Sequence, residues 1–197
     1  MKPASKIRVK SLVDRVIGKS LSDRLYVQVC IRRFRIAGVI FVHIPKAAGT
    51  SIAKATIGRR AGHFTASQIR ATMGDTYNTF FSFTIVRNPY HRLISAYNFA
   101  KQGTTSDGAV SNPKIYNGPQ FCSFDSFVQE WLVSEDLEMR DLIFRSQTDF
   151  VMGPGGPMVD YVGRVENMQE VETVLPKRLG RSIRIGHVNR SQPAAIL

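Results

Sequence analysis

Gly38-Val39-Ile40-Phe41-Val42-His43-Ile44-Pro45-Lys46-Ala47-Ala48-Gly49-Thr50-Ser51 is the stretch on which the reading of this chain turns. Its first seven residues form a nearly continuous apolar, β-branched run, the pattern of a strand buried on both faces. Pro45 stops that strand, a loop of small residues follows, and Ser51-Ile52-Ala53-Lys54-Ala55 opens a helix. The order is strand, phosphate-sized loop, helix.

Working outward, the same alternation recurs. Thr65-Ala66-Ser67-Gln68 is a capping-box pattern for a helix through about Met73. Phe80-Phe81-Ser82-Phe83-Thr84-Ile85-Val86 reads as a second buried strand. Arg87-Asn88-Pro89 breaks it, and a helix from Tyr90 to about Ala100 follows. Strands alternating with helices predict an α/β domain with a parallel sheet. Residues 102–123 are rich in Gly, Ser, Asn and Pro, a length of connection that is usually functional or disordered. Phe124, Phe127, Val128, Trp131 and Leu132 follow helical spacing, so residues 124–133 are expected as an amphipathic helix with its aromatics in the core. Gly153–Pro157 reads as a turn, Tyr161–Val165 as a third strand, and Asn167 to about Leu175 as a last helix that Pro176 shortens or kinks.

The chain's 197 residues suit one domain, residues 38–197, preceded by a basic, helical or partly flexible segment over 1–37. Charge is unevenly spread. Of a net +12, residues 1–38 hold a surplus of +8, from 10 Lys/Arg against 2 Asp. That balance favours polyanionic partners: nucleic acid, an anionic membrane surface or a phosphate-rich small molecule. Residues 7–17 read as a basic helix, packed on the domain or lying on a membrane surface. No apolar run reaches the roughly 18–20 residues of a membrane span, and two cysteines, Cys30 and Cys122, imply no disulfide framework. The expectation is a cytoplasmic protein, in peripheral contact with a membrane at most through its basic N-terminus, with its oligomeric state open and a homodimer allowed.

The loop after the first strand has the physics of an anion cradle. Ala47, Ala48 and Gly49 let the backbone approach a ligand, the helix N-terminus supplies N–H groups and a favourable dipole, Lys46 adds a charge, and Thr50 and Ser51 add hydroxyls. It is not a Walker A loop, because its lysine precedes the glycine. Alone, such a loop could equally be an ordinary turn. Arg87 stands at the carboxyl end of the second strand, where open α/β sheets bind ligands. Ser95 lies two turns into the next helix. Two anion-binding junctions on neighbouring strands suggest a ligand with two separated phosphates, although Arg87 could instead pair with a carboxylate and Ser95 could be a surface serine.

His43–Ser51 resembles the 5′-phosphosulfate loop of Golgi-type and bacterial carbohydrate sulfotransferases, and Phe83–Tyr97 resembles their 3′-phosphate motif. Gly62–Ala66, Val162–Asn167 and His187–Ser191 are similar to three further stretches, in the family's order. The resemblance implies a P-loop-like three-layer fold, with a central parallel sheet flanked by helices. It implies 3′-phosphoadenosine 5′-phosphosulfate (PAPS) as donor, a glycan, glycolipid or similar acceptor, no metal and no specific nucleic acid. By the same resemblance, Lys46, Ala48, Gly49, Thr50 and Ser51 bind the 5′-phosphosulfate, Arg87 and Ser95 the 3′-phosphate, and Arg164 also contacts the donor. Lys46 and His63 are the catalytic candidates, with His63 as general base and Glu166 as second choice unless it pairs with Arg164. His43 is expected to be structural, His91 a surface residue, and His187 a visitor from the tail. A nucleotide kinase and a basic nucleic-acid-binding protein are the rival readings.

Overall fold

The computed structural model describes residues 19–105, 108–110, 113–134 and 141–186. The expected helix at 7–17 and the stretch at His187–Ser191 lie outside them. Helix α1 (Lys19–Ala37) leads into strand β1 (Val39–Val42), and helix α2 (Gly49–Ile57) follows the loop. Helix α3 (Ala66–Met73) precedes strand β2 (Phe81–Val86), and helix α4 (Pro89–Gln102) succeeds it. Strand β3 (Tyr161–Arg164) and helix α5 (Met168–Leu179) complete the frame.

The three strands form one parallel sheet in the order β1-β2-β3, flanked by helices, which is the α/β architecture expected. Register is set by burial. All four residues of β1 are buried, as are Ser82–Ile85 of β2. Val42 pairs with Thr84, and Val86 with Arg164, so all three carboxyl ends open on one edge of the sheet. The Thr84 hydroxyl, buried within this sheet, donates to the Val42 carbonyl at 2.8 Å and is thereby satisfied. At Gly163 a Cβ would come within 2.7 Å of both Ile85 and Val171, so this glycine lets α5 lie close against the sheet.

Local signals set the helix starts. Thr65 accepts from the Gln68 amide at 3.1 Å while Gln68 accepts from the Thr65 amide at 2.9 Å, the capping box read from the sequence. Asn88 caps α4 with Pro89 at its first position, one residue earlier than expected. Helix α2 begins at Gly49 instead of Ser51. Helix α5 runs past Pro176 to Leu179, so the proline does not shorten it.

Two hydrophobic clusters hold the fold. One joins α1 (Cys30, Ile31, Phe34) to the sheet, α2, α3 and α5. The other lies on a second face of α4, where Tyr97, Tyr116, Phe121, Phe127, Trp131 and Phe144 meet. Trp131 and Phe144 are 4.8 Å apart between ring centres, and Trp131 and Phe121 5.2 Å. Aromatic pairs at such distances add about 0.5–1.5 kcal/mol each beyond burial.

That second cluster corrects the reading of residues 102–123. A short hairpin (Thr104–Thr105 with Gly108–Ala109) and two single-turn helices occupy much of this stretch, and Tyr116 and Phe121 are 2% exposed. Its glycines and prolines hid two core aromatics. The helix expected at 124–133 is also modified: Phe124–Ser126 is α-helical, and Phe127–Leu132 winds as a π-helix, with Phe127 and Trp131 buried. Among the described residues no helix is long and apolar enough to cross a membrane.

Candidate active site

The loop between β1 and α2 adopts an unusual backbone. Lys46 and Ala48 both have positive φ, 66° and 55°, without being glycine, while Ala47 between them does not. Such left-handed residues cost of order 1–3 kcal/mol each and persist where their surroundings hold them. Alternating the sign of φ turns successive N–H groups toward one concavity, the geometry of an anion-binding nest. Ala48 also caps α2 with no side-chain hydrogen bond, so no cap side chain competes for the helix's first N–H groups. Thr50 is half-buried and Ser51 buried.

Gly49 is required by its neighbour. A Cβ there would lie 1.9 Å from His43 Cδ2 and 2.1 Å from Nε2. The His43 ring lies against Phe41, at 5.5 Å, and His63, at 4.2 Å, which hinder its retreat. Burial holds its pKa well below the usual 6.5, and the adjacent His63 and Arg60 push the same way. His43 is therefore a neutral wedge beneath the loop, in keeping with the structural role expected of it.

Helix α4 presses on the loop from the other side. Arg92, 7% exposed, donates from Nε to the Pro45 carbonyl and from Nη1 to the Arg145 carbonyl, both at 2.9 Å. Its Nη2 is buried without a hydrogen-bond partner. Desolvation lowers its pKa to about 10, against the opposing pull of Asp149. The guanidinium is still charged at neutral pH. Two turns on, the Phe99 ring lies under the Lys46 ammonium, 4.1 Å from ring centre to Nζ, a cation–π contact of about 0.5–2 kcal/mol. Ser95 stands between these two contacts at helical spacings of three and four residues, so it shares the α4 face that meets the loop.

Arg87 joins the second junction to the first. Its Nη1 reaches the Lys46 carbonyl at 3.4 Å, at the long end of hydrogen bonding. Its backbone is gripped by Gln147, which accepts from the Arg87 N–H at 2.9 Å and donates to the Arg87 carbonyl at 2.8 Å. This side-chain amide extends the pairing of β2 past the strand end. His63 arrives from the segment before α3. Its Nδ1 is 3.1 Å from the His43 carbonyl. A carbonyl only accepts, so Nδ1 carries the proton and Nε2 keeps its lone pair. His63 keeps an exposed edge. Nevertheless, the surrounding protein displaces enough water to lower its pKa below 6.5, the His43 carbonyl opposes this, and Arg60 and Lys46 reinforce it.

The profile of the sulfotransferase family matches residues 33–194. The chain belongs to the sulfotransferase family. No curated protein and no solved structure matches it. Membership makes sulfuryl transfer the activity class of this protein.

Within that frame, the structure gathers Lys46, Ala48, Gly49, Thr50, Ser51, Arg87 and His63 around one loop, with Ser95 on the α4 face that carries Arg92 and Phe99. Arg164 stands apart, exposed at the end of β3 and two strands from β1, roughly 10 Å at ordinary strand spacing. Glu166 does not pair with Arg164 but accepts from the Asn88 N–H at 2.8 Å, which adds a negative charge at the start of α4. His91 is exposed, as expected. Arg92, Phe99 and Gln147 were missed. Arg92 and Phe99 share a helical face with Ser95, and that periodicity was available. Nothing local to Gln147 announces its partner 60 residues away. Among the described residues no group of His, Cys, Asp or Glu could hold a metal ion.

Proposed function

We propose that this sulfotransferase moves the sulfuryl group of PAPS to a hydroxyl or amine of a glycan, glycolipid or similar acceptor. One observation carries the donor assignment. The two anion-binding junctions touch, through Arg87 Nη1 and the Lys46 carbonyl. A donor with phosphates at its 5′ and 3′ ends suits that pair, the loop amides with Lys46, Thr50 and Ser51 taking one and Arg87 with Ser95 the other.

In the transfer, the bond between sulfur and the bridging oxygen of the donor breaks as a bond from the acceptor oxygen to sulfur forms. Negative charge gathers on the bridging oxygen. Lys46 and the preorganised N–H groups of the nest are suited to stabilise it, because they need no reorganisation as it develops. The acceptor's proton goes to His63 Nε2, the nitrogen left free by the Nδ1 contact with the His43 carbonyl. Because burial lowers its pKa, His63 is neutral and ready to accept at pH 7.

Calorimetry with 3′-phosphoadenosine 5′-phosphate (PAP) and ADP tests the donor. The expected result is PAP binding tighter by about tenfold or more, as charge-assisted contacts to a 3′-phosphate, which ADP lacks, would supply. Arg87→Met should abolish most of the difference. Equal affinities in the wild type would refute the 3′-phosphate assignment.

A further inference from the structure

Helix α1 has two unlike faces, and one of them has no work in the fold. Val27, Cys30, Ile31 and Phe34 enter the sheet's hydrophobic cluster. At 100° per residue, the opposite side carries Leu25, Val29 and Ile36 within a narrow stripe. These are 50%, 48% and 79% exposed. Exposed Arg32 lies within the stripe, and exposed Arg35 lies outside it. Arg33 is engaged elsewhere, donating to the Arg60 carbonyl at 2.8 Å. Three apolar side chains aligned on one exposed face, with an arginine among them, are unlike the singly scattered apolar residues of an ordinary surface.

The charge of the segment that carries this stripe selects what covers it. Residues 1–38 hold most of the chain's positive surplus, +8 of +12. A second copy docking stripe to stripe would bring Arg32 toward its own symmetry mate, since a two-fold interface uses the same patch twice. Residues 1–18 of the same chain carry five Lys/Arg and one Asp, so they too would bring like charge to Arg32. An anionic lipid surface satisfies both components at once. Its headgroups attract the arginines and lysines, and the acyl boundary takes the three apolar side chains. We propose that the α1 face formed by Leu25, Val29, Arg32 and Ile36 docks this protein on anionic membranes. The inference does not depend on the sulfuryl-transfer reading, because its test reads binding alone.

The test is sedimentation of the full-length protein with vesicles of phosphatidylcholine, alone or containing phosphatidylglycerol. Binding is expected only with the anionic lipid and is expected to weaken with added salt. Leu25→Ser, Val29→Ser and Ile36→Ser together remove apolar contact without changing charge. They should lower partitioning by about tenfold, as expected for a helix that needs both apolar burial and charge to bind. Should the triple variant fail to fold, Ile36→Ser alone, at the most exposed of the three positions, should still weaken binding measurably. Unchanged partitioning in these variants would overturn the proposal, since charge alone would then account for attraction. Equal binding to neutral vesicles would overturn it as well. A wild-type dimer that the triple variant converts to monomer, measured by light scattering, would assign the stripe to a second copy and refute the membrane reading.

Discussion

Gly49→Ala is the sharpest perturbation available at the loop, because a single methyl group meets the His43 ring, itself packed against two neighbouring rings. The added Cβ would fall 1.9 Å from His43 Cδ2, where ordinary contact begins at 3.4 Å. Something must therefore yield by roughly 1.5 Å, taking the whole overlap as displacement. His43 is blocked by Phe41 and His63, so the yielding element is the N-terminus of α2 with the loop ahead of it. Overpacking of this kind costs about 1–3 kcal/mol, and a chain of this size should melt about 2–4 °C lower for each of those. Displacing donor-binding amides by about 1 Å can cost up to about a hundredfold in rate. The expected result is a moderately destabilised protein with at least about tenfold weaker PAP binding by calorimetry. Adding His43→Ala removes the obstructing ring, so the double variant should recover part of the affinity that Gly49→Ala loses. Two sites in contact should show such a coupling term, about 0.5–3 kcal/mol. Wild-type melting and PAP affinity in Gly49→Ala would refute the claim that this contact fixes the loop, and strict additivity in the double variant would refute the role of the His43 ring.

Three further outcomes follow from the same geometry. His63→Ala should lower the transfer rate by about 10²–10⁴-fold, the usual range for a lost general base, while PAP binding stays within twofold of wild type. In the wild type, the acid limb of the rate profile should lie below pH 6.5, because burial favours the neutral imidazole. Arg92→Met should leave the Pro45 and Arg145 carbonyls without their donor and loosen the loop. A drop of about 2–4 kcal/mol in urea unfolding and weaker PAP binding are expected, and Arg92→Lys, which cannot span both carbonyls, should not restore either. Stability itself should fall as pH drops below 6.5. His43 and His63 have lowered pKa values when folded, so the unfolded chain binds more protons in that window, while above 6.5 the effect vanishes. Thermal melts across pH 5–8 would check the sign, and a His43→Phe variant should show a shallower acid slope.

Much of the candidate site is legible in the sequence. The apolar run ending at Pro45, the small residues after it and the capping signal at Thr65 are local features, and local sterics and hydrogen bonding determine them. The seven-residue spacing of Arg92 and Phe99 around Ser95 was equally legible, yet a helical face says nothing about what it will meet. Residues 102–123 misled for the opposite reason. Their turn-forming composition is real, but Tyr116 and Phe121 are drawn under it by an aromatic cluster gathered from segments far apart in the chain.

By itself, then, the sequence determined the alternation of strand and helix and the cradle after β1, including its lysine and its glycine. Backbone propensity and burial pattern act over a few residues and need no partner to be recognised. Only the tertiary structure decided that Arg87 meets the Lys46 carbonyl, that Gln147 grips Arg87, and that Glu166 serves the start of α4 instead of pairing with Arg164. It alone set His63 Nδ1 against the His43 carbonyl. Those outcomes rest on contacts between residues 20 to 78 positions apart, which the packing of separate segments brings together and no local signal encodes.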